Sequence, residues 1–225
     1  MGAKILHSSV WAVVRQQHGA ITREQLRALG LGPDAVKHRV AKGKLHPVAR
    51  GVYAVGRPEL TRYGLWMAAV LSCGPEAVLS HQSAAELCEI RTPRPGPIQL
   101  SVPKHVNRNR PGLTLFRSAV LPRTHCHGIP TTPPAQTLID LATQLHPDAL
   151  EAAINEADKR DLIHPRHLHQ AARSSRAPGA KRVRDLLDRL TYTLPDTRLE
   201  REFRAIVHNV PPPNRPPTAA ATRPT

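Results

Sequence analysis

The chain has 225 residues and carries 32 Lys and Arg against 17 Asp and Glu, a formal net charge of +15. A surplus of that size raises the potential around the molecule and draws polyanions to it. Aromatic residues make up only 3% of the chain, too few for a platform of rings that stacks unpaired bases, so the expected partner is a duplex read by a helix.

The N-terminal stretch MGAKILHSSVWAVVRQQHG is interrupted by His7, Ser8, Ser9 and Arg15 before an export signal could form. The apolar run YGLWMAAVLSCGP is too short to cross a bilayer. Cys73, Cys88 and Cys126 are an odd number without a CxxC pair, which fits reduced thiols in a cytoplasm better than a disulfide framework. A cytoplasmic protein without a membrane partner is therefore expected.

In chain order, SSVWAVVRQQHG places Val10, Val13 and Val14 on one helical face and closes on Gly19. TREQLRALG opens on Thr22 with Gln25 three residues later, a capping-box arrangement, and stops at Gly30. Pro33 suits the first turn of a second helix running to Lys42. Two short helices joined by a tight turn with glycine form the helix-turn-helix pattern. In the second helix Val36 and Val40 face inward, with Leu31 and Leu45 sealing its ends. Asp34, Lys37, His38, Ala41 and Lys42 face outward, and Arg39 lies on the flank. Gly43 ends the helix, and LHPVARGVYAV then reads as a hairpin, or wing, whose tip is Arg50. Such a helix fits the major groove of B-DNA, and a basic wing can hold the neighbouring backbone. The expected DNA-binding residues are Lys37 and His38 as readers of base edges, Lys42, Lys44 and Arg50 as phosphate clamps, and Arg39 beside them.

Beyond residue 57, LTRYGLWMAAVLS and HQSAAELCEI have helical spacing, while PIQLSVP and GLTLFRSAV alternate as strands do. In IPTTPPAQTLIDLATQL, Thr132 can cap a helix, Pro133 suits its first turn, and Leu138, Leu141, Ala142 and Leu145 share one face. DALEAAINEADKRDLI and PGAKRVRDLLDRL follow as amphipathic helices. A further helix begins near Asp196, after which PPPNRPPTAAATRPT has too little apolar surface to order itself. The expected fold class is α+β: an N-terminal winged helix-turn-helix (1–57), a mixed α+β domain with a helical C-terminal end (58–194), a short helix (195–209) and a disordered proline-rich tail (210–225). No internal repeat is visible.

Other chemistry finds little footing. His125, Cys126 and His127 alternate across an extended segment without a second Cys/His pair to complete a tetrahedral site, and His164, His167 and His169 only gather near a helix start. Ser80, His81 and Ser83 lack a nucleophile elbow and an orienting third group, so Ser80 is expected to cap a helix. No catalytic, cofactor-binding or metal-binding residue is expected.

The stretch HGAITREQLRALGLGPDAVKHRVAKGKLHPVARGVYAVG resembles the N-terminal winged helix of the AbiEi-like antitoxins of type IV toxin–antitoxin systems, over about Trp11 to Gly56, with GVYAV its most distinctive part. LSHQSAAEL, GIPTTPPAQTLIDLA and LEAAINEA resemble the middle region of actinobacterial proteins that carry this winged helix. The resemblance implies a repressor that binds its own promoter, and an antitoxin that opposes a nucleotidyltransferase-like toxin without a stable complex. In many relatives a domain similar to very-short-patch-repair endonucleases, of the PD-(D/E)XK kind, follows. Leu199, Glu200 and Phe203 match the opening of that domain, yet no Asp or Glu follows Glu202 to hold the Mg²⁺ such a nuclease needs. This reads as a domain truncated by a frameshift, and as a non-catalytic protein. Two alternatives stay open: an endonuclease dependent on Glu200, and a toxin-opposing module built on the middle region.

Overall fold

The computed structural model describes residues 2–106 and 110–193. By its contacts the chain divides into two units, Met1–Leu186 and Leu187–Thr225. Of the second unit only the last turns of one helix are described. The helix expected from 195 and the proline-rich stretch from 210 lie outside the described residues.

The first unit opens with α1 (Gly2–Gln16), β1 (Ala20–Thr22), α2 (Arg23–Ala28), α3 (Pro33–Ala41), β2 (Leu45–Ala49) and β3 (Val52–Val55). The capping box expected at the head of α2 is present: the Gln25 N–H donates to the Thr22 hydroxyl at 3.0 Å, and the Gln25 side-chain oxygen accepts from the Thr22 N–H at 2.9 Å. Pro33 occupies the first turn of α3, where its missing N–H costs no hydrogen bond. β1 is absent from the sequence reading. It is a wholly buried three-residue strand that pairs antiparallel with β3, giving the sheet order β1-β3-β2. Val14, Ile21, Leu26, Leu31, Val36, Leu45 and Tyr53 form the core of this part, with Val40 packed partly against it.

Next come α4 (Arg62–Cys73), β4 (Val78–Leu79), α5 (His81–Leu87), β5 (Ile98–Pro103), β6 (Leu113–Ser118), β7 (Thr124–Cys126) and β8 (Ile129–Thr131). Four helices follow: α6 (Pro134–Leu141), α7 (Pro147–Lys159), α8 (Pro165–Ser174) and α9 (Ala180–Thr193). The five strands form a sheet of order β6-β5-β4-β8-β7, parallel at β5–β6 and β4–β8 and antiparallel elsewhere. The fold is therefore mixed α+β.

α4 is the hinge of the packing. Trp66, Met67, Ala68, Ala69, Val70 and Cys73 are all buried, because the helix touches β1, β2 and β3 as well as β4, β5 and β8. A helix apolar on nearly every side has to be enclosed in this way. Ala20 and Val52 of the small sheet share one core with Leu79, Leu100, Val102 and Ile129 of the large one. Gly64 permits a close approach here, since a Cβ there would lie 2.6 Å from the His18 carbonyl oxygen. A side chain of any size would push α4 away from the end of α1.

The start of α6 differs from expectation by one residue. Pro133 sits at the cap position and Pro134 at the first helical position, while the Thr132 hydroxyl meets that of Thr137 at 2.7 Å. Two prolines in succession displace the cap, and the threonines satisfy each other inside the core.

Candidate nucleic-acid interface

α3 presents two faces. Val36 is only 5% exposed and fixes the helix to the core behind it, while Asp34, Lys37, His38, Ala41 and Lys42 are all exposed. The Lys37 ammonium lies 3.9 Å from the Asp34 carboxylate, one turn back, with both side chains almost fully in solvent. A pair so exposed contributes little and releases its lysine readily. Lys42 caps the helix, its N–H donating to the His38 carbonyl, and its side chain is exposed. Gly43 turns the chain with φ +63, which sends Lys44 out at the foot of β2.

Arg39 is half-buried. Its guanidinium donates to the Ala35 carbonyl at 3.0 Å, which holds it along the helix flank and away from the exposed face. Arg50 is exposed at the turn between β2 and β3, where Gly51 adopts φ +76. The structure thus gathers Lys37, His38, Lys42 and Lys44 around one helix, and sets Arg50 at the hairpin tip.

Two further arginines were not foreseen. The Gly51 carbonyl accepts from the Arg23 N–H at 2.8 Å, and the Arg23 guanidinium donates to the Tyr53 hydroxyl at 3.0 and 3.3 Å. That hydrogen bond raises the already high pKa of Arg23. Arg23, Arg50 and Arg110 line one cleft of about 990 Å³ beside the hairpin tip. Nothing local in the sequence marks Arg23 or Arg110, because only the folded chain brings residues 23, 50 and 110 together.

The Ser80–His81 pair proves to be a structural knot. Ser80 stands at the cap position of α5 without capping it, since its hydroxyl meets His81 Nδ1 at 3.0 Å. His81 takes φ +50 and stacks on Phe116 with ring centroids 3.6 Å apart. Asp140 lies 4.0 Å from the same nitrogen, Nδ1, and not across the ring, so the three do not form a relay. Burial pushes His81 down to about 4 and Asp140 up to about 6, leaving a neutral imidazole beside a carboxylate at neutral pH. The Ser83 hydroxyl accepts the Gln99 N–H at 2.9 Å and ties α5 to β5.

His127 is taken up by packing: its carbonyl accepts from the His18 ring at 2.7 Å, and its own ring meets Tyr63 edge-on. His164 Nδ1 accepts the Arg166 N–H at the start of α8. Burial, reinforced by the neighbouring Cys126 thiol, pushes the Cys88 thiol up to about 12, which makes it unreactive at neutral pH. Among the described residues no group of three or more His, Cys, Asp or Glu is placed to hold a metal ion, and no helix is long and apolar enough to cross a membrane.

Residues 12–56, which comprise the C-terminal end of α1 and everything through the hairpin, match the family of transcriptional regulators described as AbiEi antitoxin. Residues 68–189 match the AbiEi antitoxin C-terminal domain. Among solved structures, the crystal structure of the RV2827C protein from Mycobacterium tuberculosis is similar at 19% identity and a TM-score of 0.45, covering 81% of this chain and 77% of that one. A search of curated proteins finds no match. The second family match alone spans more than half of the chain, the first covers the helices and hairpin that carry the basic face, and the chain belongs to the AbiEi antitoxin family of transcriptional regulators.

Proposed function

We propose that the chain is a winged helix-turn-helix repressor that occupies an operator in cytoplasmic double-stranded DNA. Residues 1–57 act as the DNA-binding domain and residues 58–194 as the α+β domain behind it. α3 enters the major groove, Lys37 and His38 reach base edges, Lys42 and Lys44 hold phosphates, and Arg50 holds the backbone beside the hairpin. The observation that carries this reading is the division of α3 into a buried valine face and an exposed face bearing Lys37, His38 and Lys42. Family membership supports a regulatory role.

The repression is non-catalytic: the bound protein blocks transcription by occupancy. A nucleotidyltransferase-like toxin, opposed without a stable complex, is the partner that family membership suggests. Fluorescence anisotropy of the purified chain on duplex DNA from upstream of its own gene tests the central claim. Tighter binding to that duplex than to a scrambled one of equal length is expected, and equal binding would reject operator recognition. Magnesium-dependent cleavage of plasmid DNA, abolished by Glu200→Ala, would reject the non-catalytic reading.

A further inference from the structure

A cavity of about 480 Å³ opens between α1, the α3–β2 turn and the end of β3, a volume typical of small-molecule sites. Trp11, Leu26, Leu31 and Leu45 make an apolar wall, and Trp11 remains 37% exposed beside it. Gly43 and Gly56 line it too, so no side chain narrows it at those two positions. Among the described residues Arg39 and Lys44 are its charged lining residues, and neither Asp nor Glu lines it. One Arg39 donor goes to the Ala35 carbonyl, and the guanidinium has others to offer a second acceptor. Among the described residues Lys44 belongs to no ion pair.

An apolar wall with cations and, among the described residues, no carboxylate selects an amphiphilic anion. We propose that this cavity binds a medium-chain aliphatic carboxylate, its alkyl chain against Trp11 and the leucines and its carboxylate between Arg39 and Lys44. A carboxylate there accepts charge-assisted hydrogen bonds that a neutral head group could not match. Lys44 is also a phosphate contact of the proposed interface, so the ligand and DNA compete for it. That second half rests on the proposed function, whereas the binding site does not.

The test uses the full chain with octanoate as probe and octan-1-ol as its neutral counterpart. The chain has two tryptophans, and Trp66 is buried in the core, so octanoate should change the Trp11 emission saturably. Trp11→Phe should abolish that change. Octan-1-ol, and octanoate on Arg39→Gln or Lys44→Gln, should each bind at least about tenfold more weakly. Val10→Phe, which fills the cavity from α1, should block binding when followed by calorimetry. No saturable signal into the millimolar range would overturn the site, as would octan-1-ol binding as tightly as octanoate. A signal that follows protein concentration instead of octanoate would assign the cavity to a second copy and overturn it too. On duplex DNA, saturating octanoate should weaken binding of the wild type and leave Val10→Phe unaffected. An unchanged wild type would overturn the competition. A chain that ignores DNA altogether would reject the repressor reading, and the fluorescence result would then decide the site alone.

Discussion

Removing the three cations proposed as phosphate clamps should flatten the salt dependence of DNA binding by a calculable amount. Lys42, Lys44 and Arg50 are exposed and lie apart from the apolar core, so alanine at each position removes a charge without opening a cavity. Each phosphate contact contributes about −0.9 to the slope of log K against log salt concentration, because neutralising a phosphate releases its condensed counterion. A rise from about 50 to about 200 mM salt therefore weakens binding about 3.5-fold per contact, or about 40-fold for three. The triple variant should bind weakly at low salt and lose about 40-fold less than the wild type across that range, its slope shallower by about 2.7. Anisotropy on a duplex of arbitrary sequence measures this directly, since phosphate contacts carry no sequence information. A triple variant whose slope matches the wild type would refute the placement of these side chains on the backbone. A single variant that removes the whole salt dependence would refute the idea of three separate contacts.

Lys37→Ala should instead relax the preference for operator over scrambled duplex, by about 1–3 kcal/mol if Lys37 reads one base pair. Equal weakening on both duplexes would move Lys37 to the backbone. Gly179→Ala should lower stability by about 3 kcal/mol or more, because a Cβ there would lie 1.9 Å from the Ile139 carbonyl oxygen; an unchanged thermal midpoint would contradict the close fit of Gly179 against α6. Asp140, pushed up to about 6, holds a proton in the folded chain that the unfolded chain releases, and favours folding below that pH; His81, pushed down to about 4, lacks one that the unfolded chain carries at 6.5, and opposes it. In Asp140→Asn only the His81 contribution remains, so stability should fall by up to about 1.4 kcal/mol per pH unit between pH 6.5 and 4; urea melts as stable at pH 5 as at pH 7 would refute it.

Most of the candidate site was legible because its determinants are local. Thr22 with Gln25, Pro33 after Gly32, and Gly43 after Lys42 mark the ends of α2 and α3, and helical spacing then fixes which side of α3 Val36 occupies. Exposure of Lys37, His38, Lys42, Lys44 and Arg50 follows from that spacing and from the hairpin turn. Other features depend on partners distant in the chain. β1 is too short for alternation to register, and it exists because Ala20, Ile21 and Thr22 find Ala54, Tyr53 and Val52. Alternation in β5 and β6 shows which residues share a face, but not that Ile98 pairs in parallel with Leu113. The positive φ of His81 is sustained by the stack on Phe116, a contact between residues 81 and 116 that no short pattern announces. Arg23 and Arg110 escaped notice for the same reason.

The packing of α4 also governs how the proposed repression and the proposed toxin opposition can be told apart. Cutting the chain after residue 57 looks like the natural way to remove DNA binding while sparing the rest. Yet Ala20 and Val52 share a core with Trp66, Met67 and Ala69, and Gly64 is fitted against the His18 carbonyl. Truncation would expose that face of α4 to water, at about 25 cal/mol for each Å² uncovered, so loss of toxin opposition in the fragment would report unfolding as readily as function. Charge removal at Lys42, Lys44 and Arg50 leaves this shared core untouched. A variant that no longer binds DNA but still protects cells from the toxin would assign the opposing activity to the rest of the chain, and one that fails at both would tie protection to the duplex.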